Sequence, residues 1–567
     1  MKVYELIADA VVEEGVEVVF AVMGDGNMKW LTSLEARHDV RTVYCRHEAT
    51  AAGMADAYSR VTGKPGVCSV TCGPGLALTG TTLTIASRNR TPLVLIAGDT
   101  PRADPYYQQR FDQSGFVATA EAMAVDLRTP ATTGADLRRC FAQARLGQPC
   151  VLNAAFDVQE EEVPPGAEPY RPSSELAVPP QAIAPDPVAV AGAVEILRAA
   201  RRPVILGGRG AIAARREIEQ LADEIGAVLA TSLKAKGLFN GHPRNLGVAG
   251  GLADARNRTM LSQADCVLAI GAALNQYTTA AGGMSPDARV IQVSLERQEL
   301  IDGRRIPVDR PGGDVRAECY VQGDAARTVE AIRGSLGAAA GSEWEELLAD
   351  YDGPEMVQPP IEIEPGKINP REAMATLAEA ADEATRFVVG LGHFWWFPIA
   401  FLEGRDASSF LFIPEFGAIG QTFAAALGTS VAESRPVVLI EGDGSLMMSV
   451  QELDTAVRHG IDIVVVVMND GGLAAEFHHL EGEGIDASAP RIPAPDFARV
   501  AESFGARGAR AESLEELGAA VREMQAAGGP CVIDVQISDE VINDWFWETY
   551  FAEKPALAAA AAGEDLG

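Results

Sequence analysis

No apolar run in the 567 residues approaches the ~20 that a membrane-spanning helix needs, so that class is excluded from the start. Positive charge is scarce. Against 47 Lys and Arg stand 79 Asp and Glu, a net charge of −32. A surface of that sign repels phosphate backbones and anionic lipid, which argues against nucleic acid and membrane as partners. Cysteine pairing is missing too: eight cysteines are scattered without a C-x-x-C pair, and Cys68 and Cys72 fall in what read as a packed strand and its turn. Reduced thiols in a cytoplasmic protein are the expectation. The opening MKVYELIADAVVEEG sets Glu5, Asp9, Glu13 and Glu14 against an amphipathic Val3, Leu6, Ile7, Ala10, Val11, and predicts no secretory signal. Apolar residues are plentiful at 47 %, enough to bury large cores. The length suggests three or four domains at ~150 residues each.

Strand-like and helix-like segments alternate through most of the chain. Val16 to Val22, Thr42 to Cys45, Val67 to Val70 and Leu93 to Ile96 read as strands, each ending in a turn with Gly, Asp or Pro nearby. Between Val158 and Pro187 stand eight prolines, a linker composition. A second block follows, with Val204 to Leu206 breaking into Gly207-Gly208-Arg209-Gly210, then Val267 to Ile270 and Val290 to Val293. Another polar stretch, 341–366, leads to the third block. The expected class is therefore α/β, three doubly wound parallel-sheet domains over 1–165, 186–335 and 366–545, with 546–567 a tail whose alanine-rich end is left unstructured. The small-residue helix, proline turn, strand and Gly turn from Gly53 to Gly75 recur from Gly420 to Gly444, so the first and third blocks read as related folds. Their small-residue helices could bring two backbones close and pack the blocks face to face.

The stretch from Val437 to Glu476 organises the rest. Val437-Val438-Leu439-Ile440 has the length of a buried strand and ends in Gly442-Asp443-Gly444. Leu446, Met447, Val450, Leu453 and Val457 then predict one amphipathic helix, stopped by Gly460. A second buried-strand run, Ile463 to Met468, ends in Asn469-Asp470-Gly471-Gly472. Neighbouring strand ends of an open α/β sheet are where ligands sit. Two carboxylates among glycines there suit a hard divalent cation that also holds a diphosphate: Asp443 and Asp470 as ligands, a backbone carbonyl near Gly472 as a third, and the helix start after Gly444 aimed at the anion. Asp470 follows Asp443 by 27 residues.

That turn and interval resemble the thiamine-diphosphate motif, in which a GDG turn is followed at a fixed spacing by an Asn or Asp that binds Mg²⁺. The resemblance covers essentially the whole chain. It implies a pyrimidine-binding, a middle and a diphosphate-binding domain, in that order, with the outer two pairing across the interface of a homodimer or homotetramer. It also implies thiamine diphosphate and Mg²⁺ as cofactors, with Gly442, Asp443, Gly444, Ser445, Asp470 and Gly472 around the diphosphate and metal. The cofactor's C2 must lose a proton to its own aminopyrimidine. Glu48, in Arg46-His47-Glu48-Ala49, matches the family's RHE-type motif, whose Glu hydrogen-bonds the pyrimidine ring nitrogen; read from position alone it is equally a first-turn Glu of a helix. Ile419 matches the bulky residue that bends the cofactor, and Gly417 the carbonyl that accepts from its exocyclic amine.

Substrate groups follow the same resemblance. Glu476 matches the proton-handling Glu of pyruvate and indolepyruvate decarboxylases, and His478 or His479 could share its helical face for acid–base work. His393 aligns with a loop near the substrate in acetohydroxyacid synthases; Phe394 to Phe397 beside it could line a pocket for a bulky donor or pack the core. Where those synthases carry Asp-Asp-Arg, this chain has Asn275-Gln276-Tyr277, which argues against tightly held FAD and against their handling of a second pyruvate. The expected activity is decarboxylation of a 2-oxo acid with a branched or aromatic side chain. The alternatives are an acetolactate-synthase-like carboligase or, less favoured, an FAD-dependent oxidoreductase of the pyruvate-oxidase type.

Overall fold

The computed structural model describes residues 1–104, 106–176, 181–296, 317–337 and 341–551. The alanine-rich end of the expected tail lies outside them. The first sheet holds β1 (Val18–Ala21), β2 (Arg41–Tyr44), β3 (Gly66–Val70), β4 (Leu93–Asp99), β5 (Met123–Leu127) and β6 (Cys150–Ala155), in the order β2-β1-β3-β4-β6-β5. The second holds β7 (Pro203–Gly207), β8 (Val228–Thr231), β9 (Asn245–Val248), β10 (Cys266–Ile270), β11 (Arg289–Ser294) and β12 (Cys319–Gln322), ordered β12-β11-β10-β7-β8-β9. The third holds β13 (Arg386–Val389), β14 (Phe410–Phe412), β15 (Val437–Gly442), β16 (Ile463–Asn469), β17 (Arg507–Ala511) and β18 (Pro530–Gln536), ordered β14-β13-β15-β16-β18-β17. Every ladder between these strands is parallel. The central strands are valine- and isoleucine-rich and buried on both faces because helices cover both sides. The first and third sheets share one strand order, offset by twelve, so the repeated plan in the sequence is a repeated topology.

These two sheets also share a core. Alternate residues of β3 and β4 (Cys68, Val70, Leu95) and of β15 and β16 (Leu439, Val465, Val467) belong to one apolar cluster. Two helices form its centre, α1 (Glu48–Thr62) from the first unit and α2 (Thr422–Ala432) from the third. Their small residues are what lets them meet. A Cβ on Gly53 would stand 2.8 Å from the Ala424 Cβ, and one on Gly428 would stand 2.2 Å from the Met54 carbonyl oxygen. Arg60 of α1 reaches Glu415 at 2.8 Å, in the same inter-unit seam.

Three expectations change in detail. The single helix after Gly444 is two, α3 (Asp443–Met447) and α4 (Glu452–His459). Between them Met448, Ser449, Glu452, Leu453 and Asp454 donate to carbonyls three residues back, a tightened turn that interrupts the apolar face. Met447 and Met448 are consequently exposed, while Leu446 and Leu453 stay buried. Of the two roles open to Phe394, Trp396 and Phe397, the structure shows core packing, the first lying over Gly442. The chain stays folded past 546, with Phe546, Trp547 and Phe551 buried. Among the described residues no helix is long and apolar enough to cross a membrane.

Candidate cofactor site at the edge of the third sheet

Pairing in register, Gly442 of β15 lies beside Met468 of β16, so Asp443 and Asp470 emerge together at the carboxyl ends of adjacent central strands. Both are enclosed, 3 % and 8 % exposed. Burial pushes the Asp443 carboxyl up to about 6, against hydrogen bonds from the Gly444 and Gly472 backbone and the Asp470 side chain. Burial, and then the Asp443 charge, hold Asp470 well above the usual carboxylate range. Among the described residues neither carboxylate has an ion-pair partner. Two adjacent buried carboxylates are unfavourable unless protons or a cation neutralise them. The residues therefore fit a hard cation with oxygen ligands. Among the described residues no group of three or more His, Cys, Asp or Glu side chains is placed to hold a metal, so further oxygens would come from backbone and a bound phosphate.

The glycines are required by close approach. A Cβ on Gly442 would meet Phe394 at 2.8 Å, and one on Gly444 would meet the Leu473 side chain at 2.7 Å and the Gly472 carbonyl oxygen at 3.4 Å. Gly472 is itself pressed against the Pro490 carbonyl. Ser445, at the start of α3, accepts a 2.8 Å hydrogen bond from the Gly420 N–H. That bond ties the turn holding Gly417 and Ile419 to the Asp443 turn. Gly417 has a φ of +67°, with open space where a side chain would be, and Ile419 is half-buried. The structure thus gathers all eight residues assigned to cofactor and metal from the sequence at one edge of the third sheet.

Glu48 sits apart from them, half-buried at the first turn of α1. His47 caps that helix through its ring, accepting from the Ala49 N–H at 3.1 Å. The helix start faces the third unit: Thr82 lies 3.2 Å from the Ala49 carbonyl and 3.1 Å from Gln421, the residue after Gly420. Among the described residues no hydrogen bond or ion pair joins Glu48 to the Asp443 cluster within the chain.

The substrate-side residues are arranged differently from the expected Glu–His pair. Helix α5 (Ala474–Gly482) carries Glu476 exposed, without a hydrogen bond to either neighbouring imidazole among the described residues. His479 turns outward to Glu483 at 3.2 Å and stacks on Tyr550 at 4.4 Å. His478 turns inward and meets His393, ring centroids 4.5 Å apart. The His393 ring accepts from the Asn543 N–H at 3.1 Å. Burial, and then His478, push His393 well below its ordinary range, and burial lowers His478 too. Both rings are therefore neutral near pH 7. Sequence reasoning also passed over Glu441. It is wholly buried beside Asp443, accepts from the Gly442 N–H at 3.1 Å, and is pushed up to about 8 by burial. A lone charge at the end of a buried-strand run was the available signal. In the middle unit the glycines of Gly207-Gly208-Arg209-Gly210 serve chain packing. A Cβ on Gly208 would fall 2.2 Å from the Gly271 carbonyl oxygen, and Arg209 reaches across to Asn89 at 2.6 Å.

Comparison with known proteins agrees with this geometry. Residues 1–116 match the thiamine pyrophosphate enzyme N-terminal TPP binding domain, 190–332 the central domain and 394–535 the C-terminal TPP binding domain. The chain is 26 % identical over 560 residues to a probable acetolactate synthase large subunit of Methanocaldococcus jannaschii, covering 95 % of this chain and 92 % of that one. It is 28 % identical over 585 residues to an acetolactate synthase of Mycobacterium avium, covering 98 % and 86 %. To the acetolactate synthase large subunit of Parasynechococcus marenigrum it is 28 % identical over 556 residues, covering 94 % and 86 %. With the three domain matches in order along the chain and the paired aspartates at the third sheet's edge, the protein belongs to the thiamine pyrophosphate enzyme family.

Proposed function

We propose that the chain is a thiamine-diphosphate- and Mg²⁺-dependent carboligase that joins the acyl part of a 2-oxo acid to a second carbonyl compound, in the manner of an acetolactate synthase. The observation that carries this reading is the similarity to acetolactate synthases along nearly the whole chain. Bound, thiamine diphosphate would supply a carbanion at C2 that adds to the carbonyl carbon of the donor. Asp443, Asp470 and the Gly472 carbonyl would hold Mg²⁺, and the N–H groups at the start of α3 would hold the diphosphate. Ile419 would press the cofactor into its bent form, with the Gly417 carbonyl taking its exocyclic N–H. Glu48, supplied across a subunit interface, would hold a proton at the pyrimidine ring nitrogen. The active unit would then be a homodimer or homotetramer.

Simple decarboxylation remains the second reading, favoured by Asn275-Gln276-Tyr277 where the synthases' arginine would stand. It needs a positioned acid. Glu476 is exposed and tied to neither histidine, which weakens it. Phe394, Trp396 and Phe397 pack in the core, which weakens the case for a bulky donor. Incubation with pyruvate, alone and with a second 2-oxo acid, followed by product mass spectrometry, separates the two. Acetohydroxyacids or 2-hydroxyketones are expected; aldehyde alone would replace this reading with the decarboxylase.

A further inference from the structure

The turn that carries Glu48 is gripped by the third unit. Helix α4, which begins nine residues after Asp443, lies over the junction of β2 and α1. Its first residue, Glu452, is fully buried, and Oε2 accepts from the Arg46 N–H at 3.1 Å and from the Thr455 hydroxyl at 2.6 Å. Its other oxygen has no hydrogen-bond partner among the described residues. Arg46 adds an ion pair to Asp454 at 2.6 Å. Further along α4, Arg458 donates to the Tyr44 carbonyl at 2.7 Å, and His459 accepts from the Tyr44 N–H at 3.0 Å. The backbone of residues 44–46 is thus held from one side by a single helix of another unit. Enclosing a carboxylate is costly, and one of the contacts it makes is to a backbone N–H two residues before Glu48.

We infer that Glu452 is a positioning residue for Glu48: by holding the Arg46 N–H it fixes how the chain enters α1, and so where the Glu48 carboxylate points. His47 lies between them in extended conformation, φ −136° and ψ 142°, and α1 begins at Glu48 itself. A shift at Arg46 therefore passes to Glu48 through one residue with no slack. The chain segment that makes this grip begins nine residues after Asp443. The inference rests on the proposed role of Glu48 as the group that activates the cofactor.

The test uses the full chain and the variants Glu452→Ala, Glu452→Gln and Thr455→Val. Hydrogen exchange followed by mass spectrometry, without added cofactor, should show the Arg46 amide exchanging about tenfold faster in Glu452→Ala, with the interior of α1 unchanged. Glu452→Gln, whose amide oxygen accepts the same N–H, should restore protection. With thiamine diphosphate and Mg²⁺ present, exchange of the cofactor C2 proton should slow about tenfold in Glu452→Ala and less in Thr455→Val. Glu452→Gln should recover it. Cofactor affinity by calorimetry should stay as in wild type. Wild-type C2 exchange in Glu452→Ala overturns the inference, as does a parallel loss of affinity, which marks a merely structural group. If Glu452→Ala does not fold, Thr455→Val decides, and wild-type C2 exchange there overturns it. A wild-type chain that binds no thiamine diphosphate would strike the proposed function instead, leaving the amide-exchange arm to decide whether Glu452 holds the turn.

Discussion

Glu48 begins its helix half-buried and unpaired among the described residues, whereas Glu441 and Asp544 are wholly enclosed. The difference sets what each carboxyl can do. Glu48 is free to meet a ligand, and Glu48→Gln should bind thiamine diphosphate with near-native affinity yet exchange its C2 proton at least ~100-fold more slowly, the scale of general acid–base catalysis. Quenched-flow exchange read by NMR checks it; an unchanged rate would reduce Glu48 to a helix-start residue. Asp544 accepts from the Val357 N–H at 2.8 Å and lies 4.0 Å from Arg258, and burial still pushes it up to about 7. Its folded-state value lies above that of the unfolded chain, so it weakens the fold as pH rises from about 4, with the full effect present above about 7. Asp544→Asn should accordingly raise the unfolding midpoint markedly more at pH 8 than at pH 5. Thermal scans at both values test this, and equal shifts at the two would refute it. At this scale the sequence was legible where spacing carried the chemistry, as at Asp443 and Asp470. The His393–His478 contact was not, because it depends on the rotation of α5 about its axis and on a loop from a different strand end.

Helices α1 and α2 show which element-level patterns can be read in advance. Runs of Ala and Gly permit close backbone approach whatever lies opposite, and the structure uses Gly53 and Gly428 that way. Gly428→Ala should gain up to ~1 kcal/mol of helix propensity, yet its Cβ would sit 2.2 Å from the Met54 carbonyl oxygen. Backbone cannot yield as a side chain does, so the net effect should be destabilisation by about 1–3 kcal/mol. Equilibrium denaturation measures it; a more stable variant would mean the two helices can separate without loss. Less legible was the break between α3 and α4. The apolar residues keep helical spacing through it, and periodicity cannot distinguish a continuous helix from two short ones joined by a tightened turn.

Over the whole molecule, alternation of strands and helices identified parallel sheets, and a repeated sequence plan identified the two sheets with equal strand order. That these two share one core while the middle sheet builds mainly its own, with Val248 of β9 packed into the third unit, depends on contacts hundreds of residues apart, which no local pattern encodes. The arrangement places a pair of buried carboxyl groups, without ion-pair partners among the described residues, at the carboxyl edge of the third sheet. Calorimetric titration of thiamine diphosphate into the cofactor-free chain, with Mg²⁺, with EDTA, and with Mg²⁺ in Asp443→Ala, tests their purpose most directly. Tight binding with Mg²⁺ in the wild-type chain only, weakened by at least ~100-fold in the other two, is the predicted result. Near-native affinity in Asp443→Ala, or binding indifferent to EDTA, would contradict it.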